Sequence, residues 1–233
     1  MKPDKVTQSH YEDPEFVRRY AQGPNAFVPA YAHMQRMAAQ LIRERIGETG
    51  EVLVLGAGGG LELEAFASRC PQWTFVGVDP AAEMLKAARE RVRLAAASER
   101  VNWHHGYIFD APLGPFDAAT CLLTLHFVPD DGTKERTLAE VRRRLKPGAP
   151  FVLVDLCIDL ASPGSAVALN RYRDFALESG ADTEEVNATC GRLTNVLKMV
   201  SPARNEELLR TSGFTNAELF YAAHSWRGWH AYA

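Results

Sequence analysis

The stretch EVLVLGAGGG, residues 51–60, decides the fold class. Four aliphatic residues, 52–55, form a run typical of a buried strand, and four of the next five residues are glycine. Glycine allows a ligand or another chain segment to approach the backbone more closely than a Cβ permits. The pattern therefore predicts a strand that ends either in a ligand-binding turn or in a tight strand-to-helix connection.

Strand and helix patterns alternate outward from this turn. Further strand patterns occur at 74–79, 101–107, 116–125 and 150–156, and helical patterns at 30–46, 61–70, 81–96 and 133–145. Because several of these strands are apolar throughout, they predict a mostly parallel sheet covered by helices on both faces. Helical patterns at 165–179, 183–199 and 205–214 follow, and the chain ends in two strand patterns that could pair antiparallel. The predicted fold class is α/β.

The strand and helix patterns divide the chain into three parts. Residues 1–47 are predicted to form a helical arm that acts as a lid, and 48–233 the core. A helical insertion at about 157–200 interrupts the core, and we expect it to cap the substrate, since recognition tends to lie in segments added to a common core.

Composition narrows the function classes. The chain has 233 residues, is 46% hydrophobic, and carries a net charge of −3, so no global basic field favours nucleic acid. We interpret the basic cluster Arg142–Arg144 as a solvated helix end. No apolar run reaches the ~20 residues that span a bilayer, and the start of the chain lacks a signal peptide's apolar stretch. Four well-separated cysteines without a CxxC pair favour reduced thiols, and we predict a cytoplasmic location.

Asp79 supports the ligand-binding interpretation of the turn. It ends the second strand pattern, 19 residues after Gly60, where a carboxylate can accept hydrogen bonds from both hydroxyls of an adenosine ribose. A carboxylate at a strand end can also simply cap the next helix. Leu61 stands where the dinucleotide fingerprint G-x-G-x-x-G has its third glycine, which weighs against a nicotinamide dehydrogenase.

Several motifs together resemble one family. VLVLGAGGG, FVGVDPAAEMLKAARE, FDAATCLLTLHFV, RRRLKPGAPFVLVD and LLRTSGF, in this order, resemble the class I S-adenosylmethionine-dependent methyltransferases. Within them, VPAY (28–31) and the C-terminal stretch are similar to the small methyltransferases related to carboxy-S-adenosylmethionine synthase. The resemblance implies a Rossmann-like, doubly wound, seven-stranded sheet with one antiparallel strand.

The resemblance also implies a cofactor and its contacts. The cofactor would be S-adenosylmethionine, with S-adenosylhomocysteine as product and no metal. The implied cofactor-binding residues are Tyr31, Gly56, Ala57, Gly58, Gly60, Asp79, Pro80, Tyr107, Ile108, Leu122 and Thr124.

The chain departs from the pattern of its relatives at three points. Val54 and Tyr107 stand where many members have acidic residues, and Asp110 is left either as a substitute adenine contact or as a solvated loop residue. Carboxy-S-adenosylmethionine synthases carry a late-helix arginine that grips a carboxylate, where this chain has Leu208, with Arg204 and Arg210 out of register. This departure favours a methyl donor over a carboxylated cofactor.

The implied function is methyl transfer to a small-molecule acceptor by direct in-line displacement, for which alignment matters more than a nucleophilic side chain. The alternatives are an enzyme of tRNA modification similar to carboxy-S-adenosylmethionine synthase and a non-catalytic cofactor-binding module. His126 is the candidate general base, although packing would explain it as well.

The sequence leaves the acceptor and the oligomeric state open. Some side chains of the arm and the insertion could meet an anionic acceptor or lie on helix surfaces: Arg18, Arg19, Arg171, Tyr172 and Arg173. The aromatic end, AELFYAAHSWRGWHAYA, could form a homodimer.

Overall fold

A computed structural model describes residues 11–20 and 23–233, and the parts of the predicted arm at 1–10, 21 and 22 lie outside the described residues. The described chain contains one seven-stranded sheet. Its strands are β1 (Thr49–Leu55), β2 (Gln72–Asp79), β3 (Val101–His105), β4 (Ala118–Leu122), β5 (Pro150–Leu156), β6 (Thr215–Ala223) and β7 (Trp226–Tyr232).

The strand order confirms the predicted fold class. The order is β3-β2-β1-β4-β5-β7-β6, with β1 to β5 pairing in parallel. β7 runs antiparallel to both β5 and β6. The order reverses between β1 and β4, and in open α/β sheets ligands bind beyond the carboxyl ends of the strands at such a point.

Nine α-helices surround the sheet in the described part of the chain. They are α1 (Pro14–Arg19), α2 (Gly23–Phe27), α3 (Tyr31–Ile46), α4 (Leu61–Arg69), α5 (Ala82–Leu94), α6 (Thr133–Arg143), α7 (Ser165–Glu178), α8 (Thr183–Asn195) and α9 (Pro202–Thr211). Each helix predicted from periodicity is present, and most bounds shift by one to four residues. Of these helices, none is long and apolar enough to cross a bilayer. The division into arm, core and cap stays a prediction.

The apolar run in β1 explains why the sheet is covered on both faces. Val52 and Val54 pack in one core cluster with α3 and α4, whereas Leu53 and Leu55 pack in the other with α6 and α9. Successive strand side chains point to opposite faces, so a run without polar residues fits only a sheet buried on both sides.

One charged residue departs from the sequence interpretation. Arg144, assigned to a solvated helix end, is fully buried at the C-terminus of α6. Its guanidinium donates to the carbonyl oxygens of Ala111, Pro112 and Glu140 at 3.0 to 3.2 Å and forms an ion pair with the Glu140 carboxylate. Arginine is tolerated here because these acceptors replace the water that burial removes.

The aromatic C-terminal end packs within its own chain. Trp226 and Trp229 are buried, and their indole N–H groups donate to the Phe27 carbonyl and the Glu206 carboxylate, respectively. The Tyr221 hydroxyl donates to the Pro29 carbonyl at 2.6 Å. These aromatic side chains are therefore engaged within their own chain, and fewer of them are left to form a dimer interface. The homodimer stays a prediction.

Gly60 makes the sharp entry into α4 possible. Its φ is +71°, and a Cβ there would lie 2.8 Å from the Ala88 Cα on α5. We expect Gly60→Ala to lower the free energy of unfolding, measured in urea, by about 2 kcal/mol or more through backbone strain and the clash. Gly191→Ala is the control, because this helical glycine in α8 has open space around it and should gain about 0.5–1 kcal/mol. Equal effects at the two sites would contradict this account of the turn.

Candidate active site

A cavity of about 630 Å³ opens beyond the carboxyl ends of β1, β2 and β4. Its volume is in the ~300–1,000 Å³ range of small-molecule sites. Residues of α1, α8 and the loop after β4 complete its walls. Most of the residues proposed from the sequence line it: Gly56, Gly58, Asp79, Pro80, Tyr107, Ile108, Thr124 and His126.

Four proposed cofactor contacts do not line this cavity: Tyr31, Ala57, Gly60 and Leu122. Tyr31 is buried in the core, where its hydroxyl accepts a hydrogen bond from the Gln35 side chain at 2.9 Å. Gly60 faces the backbone of α5, as described above. For these four residues, contact with a cofactor stays a prediction.

Asp79 joins the glycine turn to the start of α5. Its Oδ2 accepts from the Gly58 N–H at 2.9 Å, and its Oδ1 accepts from the Ala81 N–H at 2.8 Å. Asp79 therefore holds the N-cap residue of α5, whereas the first-turn N–H groups of Ala82 and Glu83 are bonded by Glu12. A carboxylate has about four acceptor sites, so two remain for a pair of ligand hydroxyls. Burial raises the pKa of this carboxyl to about 6, against the lowering effect of these two N–H donors.

The turn has the shape that a nucleoside ligand requires. At Gly58, which lines the cavity, a Cβ would stand 2.7 Å from the Asp79 Oδ2 and would fill the space beside the carboxylate. Bare backbone and a buried acceptor thus lie side by side at the sheet edge. The residues present fit an adenosine ribose in this position.

Residues 11–20, the α1 segment, belong to the predicted arm and lie at this edge of the cavity. Tyr11, Phe16 and Tyr20 line the cavity and contact each other edge to face, with centroids 5.3 to 6.3 Å apart. Glu12 accepts hydrogen bonds from the Ala82 and Glu83 N–H groups at 2.9 and 3.2 Å, which caps α5 from a distant part of the chain. The α1 segment is therefore fastened to the element that follows Asp79.

His126 lies in a wall of the cavity and is buried. Its Nδ1 is 2.6 Å from the Oδ1 of Asp155, the side chain near the end of β5. Asp155 is fully buried, and its Oδ2 accepts from the Asn205 amide at 3.2 Å. The sequence singled out His126 but not Asp155 or Asn205. Asp155 is 29 residues from His126 along the chain, and Asn205 is 50 residues from Asp155, so no local pattern connects them.

Asp110, the possible substitute for the adenine contact, contacts neighbouring residues of its own loop and of β3. Asp110 accepts from the Tyr107 N–H at 2.9 Å and lies 3.2 Å from His104 Nε2. The His104 side chain lowers the pKa of this carboxyl. His105 contacts the Pro80 carbonyl at 3.0 Å, so both histidines of β3 have structural partners.

Of the side chains proposed for an anionic acceptor, Arg19 and Tyr172 line the cavity, whereas Arg18, Arg171 and Arg173 do not. The structure adds Arg192, whose guanidinium lies 5.8 Å from the centroid of the Phe16 ring. The signal that could have found it is the helical spacing of one α8 face. That face comprises Glu184, Glu185, Ala188, Thr189, Arg192 and Leu193.

Metal ligands do not gather at this site. Throughout 11–20 and 23–233, no three His, Cys, Asp or Glu side chains are grouped to hold a metal ion. A reaction without a metal stays a prediction.

Known proteins that are similar to this chain include methyltransferases. Residues 52–148 match the methyltransferase domain family. The chain is 25% identical over 197 residues to a carboxy-S-adenosyl-L-methionine synthase of Desulfotalea psychrophila, covering 83% of this chain and 80% of the relative. It is 28% identical over 176 residues to a ubiquinone biosynthesis O-methyltransferase of Psychrobacter arcticus, covering 72% and 60% of the two chains.

Among solved structures, the fold is similar to that of an O-methyltransferase family protein from Burkholderia thailandensis. The TM-score is 0.69 at 14% identity, with 99% of this chain and 64% of that chain covered. Such a likeness shows the fold, and this chain spans less than two thirds of that structure's length.

Fold and site together define the class: a Rossmann-like α/β fold with its cavity at the reversal of strand order. The match to the methyltransferase domain family covers residues 52–148, and the two relatives described above, at 25% and 28% identity, are similar to this chain over most of its length.

Proposed function

We propose that this protein transfers a methyl group from S-adenosylmethionine to a small-molecule acceptor by direct in-line displacement. The observation that carries the proposal is the meeting of three features in one cavity. These are the open backbone at Gly58, the buried Asp79 carboxylate and the His126 imidazole. The first two suit an adenosine, and the third can take a proton from an acceptor.

When bound, S-adenosylmethionine supplies an electrophilic methyl group on a sulfonium sulfur. For the chain's own residues, we propose that Asp79 accepts hydrogen bonds from both ribose hydroxyls while Tyr107 and Ile108 lie beside the adenine. Thr124, with Leu122 behind it, would lie near the methionine part. The product S-adenosylhomocysteine would occupy the same contacts.

The test is a calorimetric titration of the purified chain with S-adenosylmethionine and S-adenosylhomocysteine, followed by a metabolite screen with a labelled methyl group. Saturable binding and label in a small product would support the proposal. Binding of neither compound would overturn it. Binding without label transfer to any acceptor would favour a non-catalytic cofactor-binding module.

A second candidate is an enzyme similar to the carboxy-S-adenosyl-L-methionine synthases, because relatives so named match over most of the chain. Two observations disfavour it. Leu208 is fully buried, and the Arg204 guanidinium is held by Asp130 and Glu207 at 3.0 and 2.6 Å. Incubation with prephenate and S-adenosylmethionine, analysed by mass spectrometry, should yield no heavier carboxylated cofactor.

We also propose that the α1 segment acts as a lid over the cofactor, with α7 and α8 as the substrate cap. Glu12→Gln should weaken the contact with α5 by about 1 kcal/mol, because a charged cap becomes a neutral one. We expect S-adenosylhomocysteine to dissociate about fivefold faster in stopped-flow displacement. Glu15→Gln changes an exposed residue of α1, and S-adenosylhomocysteine should dissociate from this variant as fast as from the unmodified protein. An unchanged rate for Glu12→Gln would argue against the lid.

The proposed location is the cytoplasm. All four cysteines are free thiols, and three of them are buried, as expected of a protein that does not depend on disulfides.

A further inference from the structure

A group of aromatic side chains lines the cavity around His126. Phe27 and Tyr172 stack with centroids 5.6 Å apart, and the Trp226 ring lies 6.5 Å from Tyr172. Trp226 is 5.9 Å from the His126 imidazole, and Phe127 is 4.6 Å from it. The imidazole is therefore set in an aromatic wall, and a ligand beside it would contact ring faces and edges rather than water.

The contacts of Asp155 determine which nitrogen of His126 carries the proton. Asp155 Oδ1 accepts from the His126 backbone N–H at 2.9 Å and lies 2.6 Å from Nδ1. A carboxylate only accepts hydrogen bonds, so the short contact requires a proton on Nδ1. The Leu156 N–H also points at Nδ1, but its 3.4 Å contact is longer and weaker than the 2.6 Å contact with Asp155.

In a neutral imidazole with its proton on Nδ1, the other ring nitrogen, Nε2, carries the lone pair. In the part of the chain that the structure describes, no group hydrogen-bonds to Nε2 of His126. Asp155 is itself fixed by Asn205, so the dyad is held by three elements: the loop after β4, β5 and α9. This arrangement holds a proton acceptor in one orientation inside the cavity.

We infer that the acceptor is a planar aromatic compound with a weakly acidic hydroxyl, a phenol, and that Asp155 is a positioning residue for His126. The inference rests on the proposed methyl transfer and deepens it. The acceptor's O–H bond breaks, its electron pair stays on oxygen, and the proton forms a new bond to Nε2. Asp155 stabilises the resulting imidazolium, and the phenolate oxygen is the nucleophile.

The placement of the charges favours a phenol over a protonated amine. A cationic amine would need a free carboxylate beside the base. The Asp155 carboxylate instead faces Nδ1 and Asn205. Of the other cavity carboxylates, Asp79 accepts from two backbone N–H groups at the glycine turn, and Asp182, Glu184 and Glu185 are exposed at the start of α8. The aromatic side chains of the cavity suit an aromatic ligand, and the single base beside them suits a ligand with one proton to donate.

The test uses 4-nitrophenol, whose phenol and phenolate forms have different absorption bands, with the full chain saturated with S-adenosylhomocysteine. Below the probe's solution pKa, binding should raise its phenolate fraction. His126→Gln and Asp155→Asn should each reduce this rise about tenfold with unchanged S-adenosylhomocysteine affinity, which also shows that the variants fold. Asp155→Glu should restore part of the rise. His33→Gln, an exposed histidine of α3, should behave like the unmodified protein.

The aromatic wall has its own test. Phe127→Leu should weaken 4-nitrophenol binding about fivefold and leave S-adenosylhomocysteine affinity unchanged. 4-Nitroanisole, which has no proton to give, should bind the unmodified protein and His126→Gln equally.

Three outcomes would overturn the inference, and they can be told apart. A bound probe that stays neutral, or a rise in its phenolate fraction that persists in His126→Gln, would exclude His126 as the base. Binding of cyclohexylamine but not of 4-nitrophenol, with S-adenosylhomocysteine still bound, would replace the substrate class and leave methyl transfer standing. If the unmodified protein does not bind S-adenosylhomocysteine, the proposed function is overturned together with this inference.

Discussion

Asp79→Ala is expected to weaken S-adenosylmethionine binding by about 2 kcal/mol, roughly a 30-fold rise in Kd. The variant removes a buried charged acceptor that can serve two ribose hydroxyls, and it frees the Gly58 and Ala81 N–H groups that the carboxylate now holds. Isothermal titration of both proteins measures the change. Glu90→Ala is the control, since this acidic residue of α5 is exposed and paired with Arg93. An unchanged Kd for Asp79→Ala would remove the ribose assignment.

The same carboxyl makes a prediction about pH. Burial raises its pKa to about 6, so in the free protein it becomes protonated as the pH falls below that value. The ionised form accepts the ribose hydrogen bonds, so affinity is full above pH 6 and should fall by up to about tenfold per pH unit below it. Asp79→Asn, which does not titrate, should show a flatter profile from pH 5 to pH 7. Parallel profiles for the two proteins would assign the pH dependence to another group.

Local pattern was sufficient for much of the fold. The apolar run of β1 and the glycines after it predict a two-faced parallel sheet, because a strand with no polar side chain fits no other position. Asp79 was found because it ends the second strand pattern. The antiparallel β7 came from resemblance, since its own pattern allows several pairings.

The walls of the site were less predictable because they depend on contacts between distant segments. Asp155 lies near the end of an ordinary apolar strand, and only folding brings it against His126 and Asn205. Tyr11 precedes α1 and Arg192 lies on α8, and the mixed composition of both segments predicts exposed side chains. Burial of Arg144 likewise depends on carbonyl groups more than 30 residues away along the chain.

Glu62, in the first turn of α4, gives the second large expected effect. Its side chain is 8% exposed, and Oε1 has no hydrogen-bond partner within the described residues. Burial raises the pKa of this carboxyl to about 8, and the nearby Thr120 side chain offsets only part of the rise. The folded protein therefore holds a proton on Glu62 at neutral pH, whereas the unfolded chain has lost it.

Stability should accordingly fall as the pH rises. Between the ordinary glutamate pKa, about 4.5, and about 8, the folded state binds more protons than the unfolded state, so the free energy of unfolding decreases with pH. The contribution of Glu62 between pH 5 and pH 8 is on the order of 3 kcal/mol. It is present at pH 5 and lost as the carboxyl ionises.

Glu62→Gln should remove this slope, because a neutral amide keeps the side-chain volume without a titrating proton. Urea unfolding at pH 5 and pH 8 measures the difference between the two proteins, which cancels the contributions of Asp79 and other groups common to both. Glu64→Gln, two residues further along α4, is the matched control, since this residue is half exposed and paired with Arg91 at 2.9 Å. If Glu62→Gln loses as much stability as the unmodified protein between the two pH values, the buried carboxyl is already ionised in the folded state, and its environment is more polar than the contacts around α4 indicate.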